Sequence, residues 1–211
     1  MFAARYFRRN FQHEPLTEIN MDMKNKLTKP AEMTVQNAPK IGLVIGQAPP
    51  AKIYAIPFSG TRLYKWFNLV GIDQNIVINN FDFDALVSTF PGKTSGGDRP
   101  PTEEEVLRHI PILLKKIEDN KFSLIIPIGK LAIQYILNNR KIELHEAVGK
   151  KFYRRPFGRG KHNLTIIPLP HPSGLNRWSF NERNRNLLYI ALDLIKKQSP
   201  VNTFNSYPSC K

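Results

Sequence analysis

Four short stretches of this chain hold residue types that chemistry uses. Gly46-Gln47-Ala48-Pro49-Pro50 sets a glycine, which admits close backbone approach, before two prolines that stiffen a turn. Backbone N–H groups in such a turn can face an anionic oxygen, although an ordinary tight turn has the same composition. Pro57-Phe58-Ser59-Gly60 puts an aromatic ring in a Pro/Gly loop, where it either stacks on a planar ligand or caps the core. Asn79-Asn80-Phe81-Asp82-Phe83-Asp84, running toward Phe90-Pro91-Gly92, carries two acids in a strongly basic chain. A carboxylate there activates water, accepts a hydrogen bond, or simply faces solvent. His171-Pro172-Ser173-Gly174-Leu175-Asn176-Arg177-Trp178 holds a histidine in a Pro-stiffened loop beside Ser and Asn, with an apolar tip and an arginine. That company suits proton or charge chemistry near neutral pH. His13, His109, His145 and His162 lack it, and His109 falls inside an expected helix, where packing or surface placement accounts for it. Gly92-Lys93-Thr94 imitates the end of a phosphate-binding loop, but that motif needs glycine where Val87 stands, which excludes a nucleoside triphosphatase of that kind.

The hydrophobic pattern indicates how these stretches are positioned. Ile41–Ile45 is a short apolar run closed by Gly46, as in a buried parallel strand. Leu63, Trp66, Phe67 and Val70 have helical spacing, and Asn75–Ile78 is expected as a second strand. Thr102 and Glu105 form a capping box for a helix to about Asn120, with a kink expected at Pro111. Phe122–Ile128 reads as a third strand, followed by Gly129 and a helix through Leu131, Ile133 and Ile136. Leu164–Leu169 is the fourth strand, and a second capping box, Ser179 to Glu182, opens a last helix to about Lys197. Alternating strands and helices predict an α/β fold: a three-layer α/β/α sandwich around a mostly parallel four-stranded sheet. Ligands of such folds bind outside the carboxyl ends of the strands, so the four stretches are expected to meet there. The expected organisation is an N-terminal arm over 1–39, broken by Pro15, Pro30 and Pro39, one domain over 40–198, and a tail over 199–211.

Composition narrows the class. With 41% hydrophobic and 10% aromatic residues in 211, the chain can bury the core of one domain. Its one cysteine, Cys210, excludes an internal disulfide framework and any metal or iron–sulfur site built on several thiolates. No apolar run reaches the ~18 residues of a membrane span. Met1–Asn10 is basic without a long apolar stretch, which argues against a secretory signal; Glu14, Glu18 and Asp22 argue against a transit peptide. Lys and Arg number 31 against 17 acids, a net charge of +14, which points to a polyanionic partner. Gly149 to Arg177 holds seven basic residues and no acid: Lys150, Lys151, Arg154, Arg155, Arg159, Lys161 and Arg177. Phe152, Tyr153, Phe157 and Trp178 lie among or beside them, a mixture suited to phosphates and bases together. Pro156, Gly158 and Gly160 argue against an amphipathic membrane helix there.

Taken in order, Gly46-Gln47-Ala48-Pro49, Pro57-Phe58-Ser59-Gly60 and His171-Pro172-Ser173 resemble the uracil-DNA glycosylase superfamily, whose first motif is Gly-x-x-Pro and whose last is His-Pro-Ser. Phe90-Pro91-Gly92, then Arg99-Pro100-Pro101-Thr102 with Glu103–Glu105, then Ile128-Gly129-Lys130-Leu131-Ala132, are similar to motifs of its iron–sulfur and broad-specificity classes. The resemblance spans about residues 41–195. It implies that Phe58 stacks on a flipped base, that Gly46, Gln47 and Ala48 approach the base oxygen, and that His171 steadies charge on the departing base. It implies that Asp84 is the site carboxylate beside the base, with Asp82 and Asn80 close enough to take or share that place. Asn176 matches the His-x-x-x-x-Asn arrangement of the broad-specificity class, which implies a catalytic place for it with Asp84 and His171. Leu175 and Arg177 match the loop that wedges into the duplex, with Ser173, Lys150, Lys151, Arg154 and Arg155 on the DNA track. Three departures mark a divergent branch: Ala48 replaces the water-activating Asp of the best-known class, Gln47 replaces the acid of the iron–sulfur class, and Ser88 stands where a cluster cysteine would fall.

The implied reaction needs no cofactor and no metal: hydrolytic excision of uracil, or a related deaminated base, from flipped-out or single-stranded DNA, as the first step of base excision repair. A monomer is expected, in the cytoplasm with the nucleoid or, in a eukaryote, in the nucleus. Two alternatives stay open, a catalytically inactive DNA-binding protein on the same fold and a hydrolase of free nucleosides.

Overall fold

The computed structural model describes residues 39–52 and 54–198. The expected tail, Cys210, and all of the expected arm except Pro39 lie outside the described residues. The strands are β1 (Gly42–Gly46), β2 (Phe81–Ala85), β3 (Lys93–Thr94), β4 (Gly97–Asp98), β5 (Leu124–Pro127), β6 (Phe152–Arg154) and β7 (Leu164–Ile166). The helices are α1 (Leu63–Asn68), α2 (Gln74–Asn80), α3 (Glu103–Asp119), α4 (Lys130–Ile136), α5 (Leu144–Ala147) and α6 (Glu182–Gln198).

Every residue of β1 and β5 is buried. They are central because a parallel strand covered by helices on both faces must be apolar on both faces. The sheet runs β2-β1-β5-β7-β6, with β2, β1, β5 and β7 parallel and β6 antiparallel to β7. It therefore has five strands where four were expected. The fifth, Phe152–Arg154, is a three-residue edge in the basic stretch, too short for a period of two to be read from the sequence. β3 and β4 form a separate two-stranded hairpin.

One expected strand is corrected. Asn75–Ile78 lies in α2, whose first turn is capped by the Asp73 carboxylate accepting from the Ile76 N–H at 2.9 Å. A short apolar run suits either element, and the N-cap decides here. The second strand starts at Phe81, so Asp82 and Asp84 are strand residues rather than loop residues. Their neighbours Phe81 and Phe83 face the α1 side, since Phe67 stacks on Phe81 with 6.3 Å between ring centroids. Strand side chains alternate, so Asp82 and Asp84 face the other layer, where Lys116 of α3 meets Asp84 at 2.8 Å. Helices on both faces make the three-layer sandwich.

The first capping box forms as expected, with Thr102 and Glu105 bonding each other's backbone N–H. Arg99 adds a two-pronged contact to the Glu105 carboxylate at 2.7 and 3.1 Å. These hydrogen bonds, from Arg99 first and then from Thr102, hold the Glu105 pKa down at about 2. α3 buries Val106, His109, Ile110, Leu113 and Ile117, a stripe at helical spacing, and continues through Pro111. α6 departs in detail from expectation: Asn181, not Ser179, accepts from the Asn184 N–H, because Trp178–Phe180 form a separate 3₁₀ turn.

Candidate active site

The carboxyl ends of β1, β5 and β7 converge. The Ile128 N–H donates to Ile45 O at 2.9 Å, the Gly129 N–H to Leu169 O at 2.9 Å, and the Leu86 N–H to Gly46 O at 3.0 Å. Gly46, Gly129 and the chain leading to His171 therefore lie at one end of the sheet.

Two glycines there each seat a ring. A Cβ built on Gly46 would lie 3.1 Å from Phe58 Cζ, so only glycine lets this ring rest on the strand end unmoved. Phe58 itself has a φ of 58°, uncommon for a bulky residue, and its carbonyl accepts from both the N–H and Oγ1 of Thr61, at 3.1 and 2.7 Å. Its ring is tilted against Phe83 with 6.1 Å between centroids. Gly129, with a φ of +86°, brings the backbone under His171, whose Cβ and Cδ2 both lie 3.5 Å from where its Cβ would be. Gln47 and Ala48 follow β1 directly and are half-buried.

The Nδ1 of His171 accepts from the Ser173 N–H at 3.3 Å. A neutral imidazole in that arrangement carries its proton on Nε2. Loss of water from the covered side of the ring disfavours the imidazolium and pushes the His171 pKa below its ordinary 6.5, although the residue keeps an exposed side. The Asn176 amide is engaged at both ends, donating to His171 O at 2.6 Å and accepting from the Trp178 N–H at 2.9 Å. It braces the loop. Leu175 is 94% exposed at the tip, and Arg177 is exposed beside it.

Of the other predicted residues, some reach this end of the sheet and some do not. The Asp84 carboxylate is turned to α3, with Oδ2 2.8 Å from Lys116 Nζ and Oδ1 accepting from the Ala85 N–H at 2.8 Å. His109, buried in α3, places Nε2 3.9 Å from the same Oδ1, too far for a hydrogen bond. Asp82 pairs with Lys40 at 2.8 Å, further toward the amino end of β2. Asn80 ends α2, bonds Ile76 O at 2.8 Å and lies at the amino end of the sheet, the end opposite Gly46 and Gly129. The basic stretch is divided by the reversal of β6. Arg154 pairs with Leu164, the first residue of β7, which puts Arg154 and Arg155 toward the amino end, while Lys150 and Lys151 precede β6 on the site side. A cavity of about 560 Å³ between Leu114, Ile117, Phe122, Pro156 and Leu164 also lies at the amino end, away from these loops.

Gly129, the glycine that the sequence places directly after a strand, seats His171. Two residues that the sequence did not point to are now visible: Lys116 holds Asp84, and Arg62 joins the Phe58 and His171 loops.

A mostly parallel sheet with helices on both faces, and an aromatic ring and a neutral histidine at the carboxyl ends of its strands, define an α/β protein with a candidate site at its strand ends. A family model described as Uracil DNA glycosylase superfamily matches residues 36–194, and the chain belongs to that superfamily. Its function is in general DNA glycosylase-like, with DNA as partner and base excision repair as setting. The iron–sulfur cluster of some members does not fit this donor set, because the chain has one cysteine and Ser88 is exposed where a ligand would stand.

Proposed function

We propose that this chain excises uracil, or a closely related deaminated base, from DNA by hydrolysing the N-glycosidic bond. The observation that carries this reading is the pair of rings at adjacent strand ends, Phe58 on Gly46 and His171 on Gly129, with His171 Nε2 left as a donor. A base displaced from the stack lies on Phe58. The backbone of Gly46–Ala48 and the Nε2–H of His171 meet its oxygen. As the bond between C1′ and the base nitrogen breaks, its electron pair leaves with the base, and these donors stabilise the negative charge. Water adds its oxygen to C1′ and loses a proton, and the nitrogen of the base is protonated. Asn176 and Ser173 hold the His171 loop. Leu175 fills the vacated place in the duplex, and Lys150, Lys151 and Arg177 face phosphates. Asp84, paired with Lys116 in this structure, is the carboxylate assigned to the water and to the positive charge on the sugar. Such a protein acts as a monomer where DNA is kept, with the nucleoid or in the nucleus.

A second reading, a DNA-binding protein without catalysis, draws on one feature: Gln47 and Ala48 supply no acid in the first motif, and the Asp84 carboxylate is already paired. One assay separates them. The protein is incubated with a uracil-containing oligonucleotide, a uracil-free control and free deoxyuridine. Uracil release from the first alone supports excision, and its loss by two to three orders of magnitude in His171→Ala assigns the histidine. Binding without release of uracil, hypoxanthine or xanthine supports the second reading, and release from deoxyuridine alone supports a nucleoside hydrolase.

A further inference from the structure

Arg62 ends the segment that carries Phe58, and it reaches across 112 positions of sequence to the loop that carries Leu175. Its N–H donates to Pro172 O at 2.9 Å. Its guanidinium donates to Gly174 O at 2.5 Å and lies 5.2 Å over the ring of Phe180. Gly174 has nothing within 4 Å of where a Cβ would stand, so side-chain packing does not fix the tip. Leu175 next to it is 94% exposed and gains nothing from the fold by standing where it does. Asn176 braces the far side of the tip and Arg62 the near side. The other end of the Arg62 segment is equally fixed, because Thr61 bonds Phe58 O twice, through N–H and Oγ1.

We propose that Arg62 is a positioning residue that sets Leu175 at a fixed place relative to Phe58, so that displacing a base from a duplex and receiving it on Phe58 occur together. The inference rests on the glycosylase reading and adds a substrate class to it: Arg62 serves DNA in which the base is paired and stacked, and is dispensable for single strands, where no gap has to be filled. A planar fork is required because one guanidinium must satisfy a carbonyl while stacking on a ring, which an ammonium group does less well.

The test measures affinity of the full chain for a duplex with one abasic-site analogue and for the same sequence as a single strand. The proteins are wild type, Arg62→Ala, Arg62→Lys, Leu175→Ala and the double variant Arg62→Ala/Leu175→Ala. Arg62→Ala is expected to weaken duplex binding about tenfold, to leave single-strand binding within about twofold, and to add nothing in the Leu175→Ala background. Arg62→Lys is expected to recover less than half of the duplex preference. Amide exchange across residues 172–178 is expected to rise in Arg62→Ala without DNA. Equal losses on both DNAs, additivity with Leu175→Ala, full rescue by lysine, or no preference of the wild type for the duplex would each overturn the proposal. If Arg62→Ala does not fold, Arg62→Lys and its double with Leu175→Ala give the same cycle. Base release is not part of this readout, so an inactive wild type with the coupling intact removes only the glycosylase reading.

Discussion

Phe58 rests on Gly46 so closely that a Cβ on Gly46 would stand 3.1 Å from Phe58 Cζ. The left-handed backbone of Phe58 is pinned by two bonds from Thr61, so the ring rather than the backbone must give way to a Cβ there. The backbone of Gly46 is ordinary strand and accepts alanine without strain of its own. Gly46→Ala should therefore fold, with a small change in melting temperature, yet lower kcat/KM for excision by about tenfold or more through a displaced stacking ring. Unchanged kcat/KM would show that the base does not use this ring.

Asp84 and Asp82 face the same layer from different heights of β2, and only Asp84 is beside the strand end. Asp84→Ala should slow single-turnover excision by about 10²-fold, while Asp82→Ala stays within a few-fold of wild type. Lys116→Met should also slow excision, since it leaves the Asp84 carboxylate without its cation. If neither Asp84→Ala nor Lys116→Met has an effect, excision rests on His171 and the Gly46–Ala48 backbone alone.

The reversal of β6 divides the basic stretch into two charge groups. Charge reversal at Lys150 and Lys151 should lower the log–log salt slope of DNA binding by roughly one unit for each phosphate that is no longer neutralised. The same change at Arg154 and Arg155, toward the amino end of the sheet, should alter the slope less. The opposite ranking would put the DNA on the other side of the sheet.

Glu105 supplies a pH test of the fold. Its folded-state pKa of about 2 lies below the ordinary value of 4.5, so the ionised carboxylate favours the native state. That contribution is complete above the ordinary value and is lost as the pH falls from 4.5 toward about 2. Glu105→Gln should lower the urea midpoint at neutral pH, and the gap to wild type should close across that acid window. A gap that persists at the acid end would assign the effect to the shape of the cap rather than to its charge.

Much of the fold was legible along the chain because its determinants are local. The apolar runs at β1, β5 and β7 and the Thr102–Glu105 cap depend on residues a few positions apart. Local signals failed where two elements suit the same run. Asn75–Ile78 reads as a strand until Asp73 caps it, and that shift moves Asp82 and Asp84 from a loop onto β2.

What the sequence by itself determined is the alternation of strand and helix, the basic balance of charge and the residue types present at each strand end. The tertiary structure alone decided which face of the sheet each side chain takes. In a strand that choice turns on a single residue of phase, and only packing against α1 and α3 sets it. It also decided that Lys116 meets Asp84, that Arg62 meets Gly174, and that Arg154 lies away from Lys150. These pairings join distant segments or follow from a strand reversal, so no local spacing encodes them; they exist because closing the core brings those backbones together.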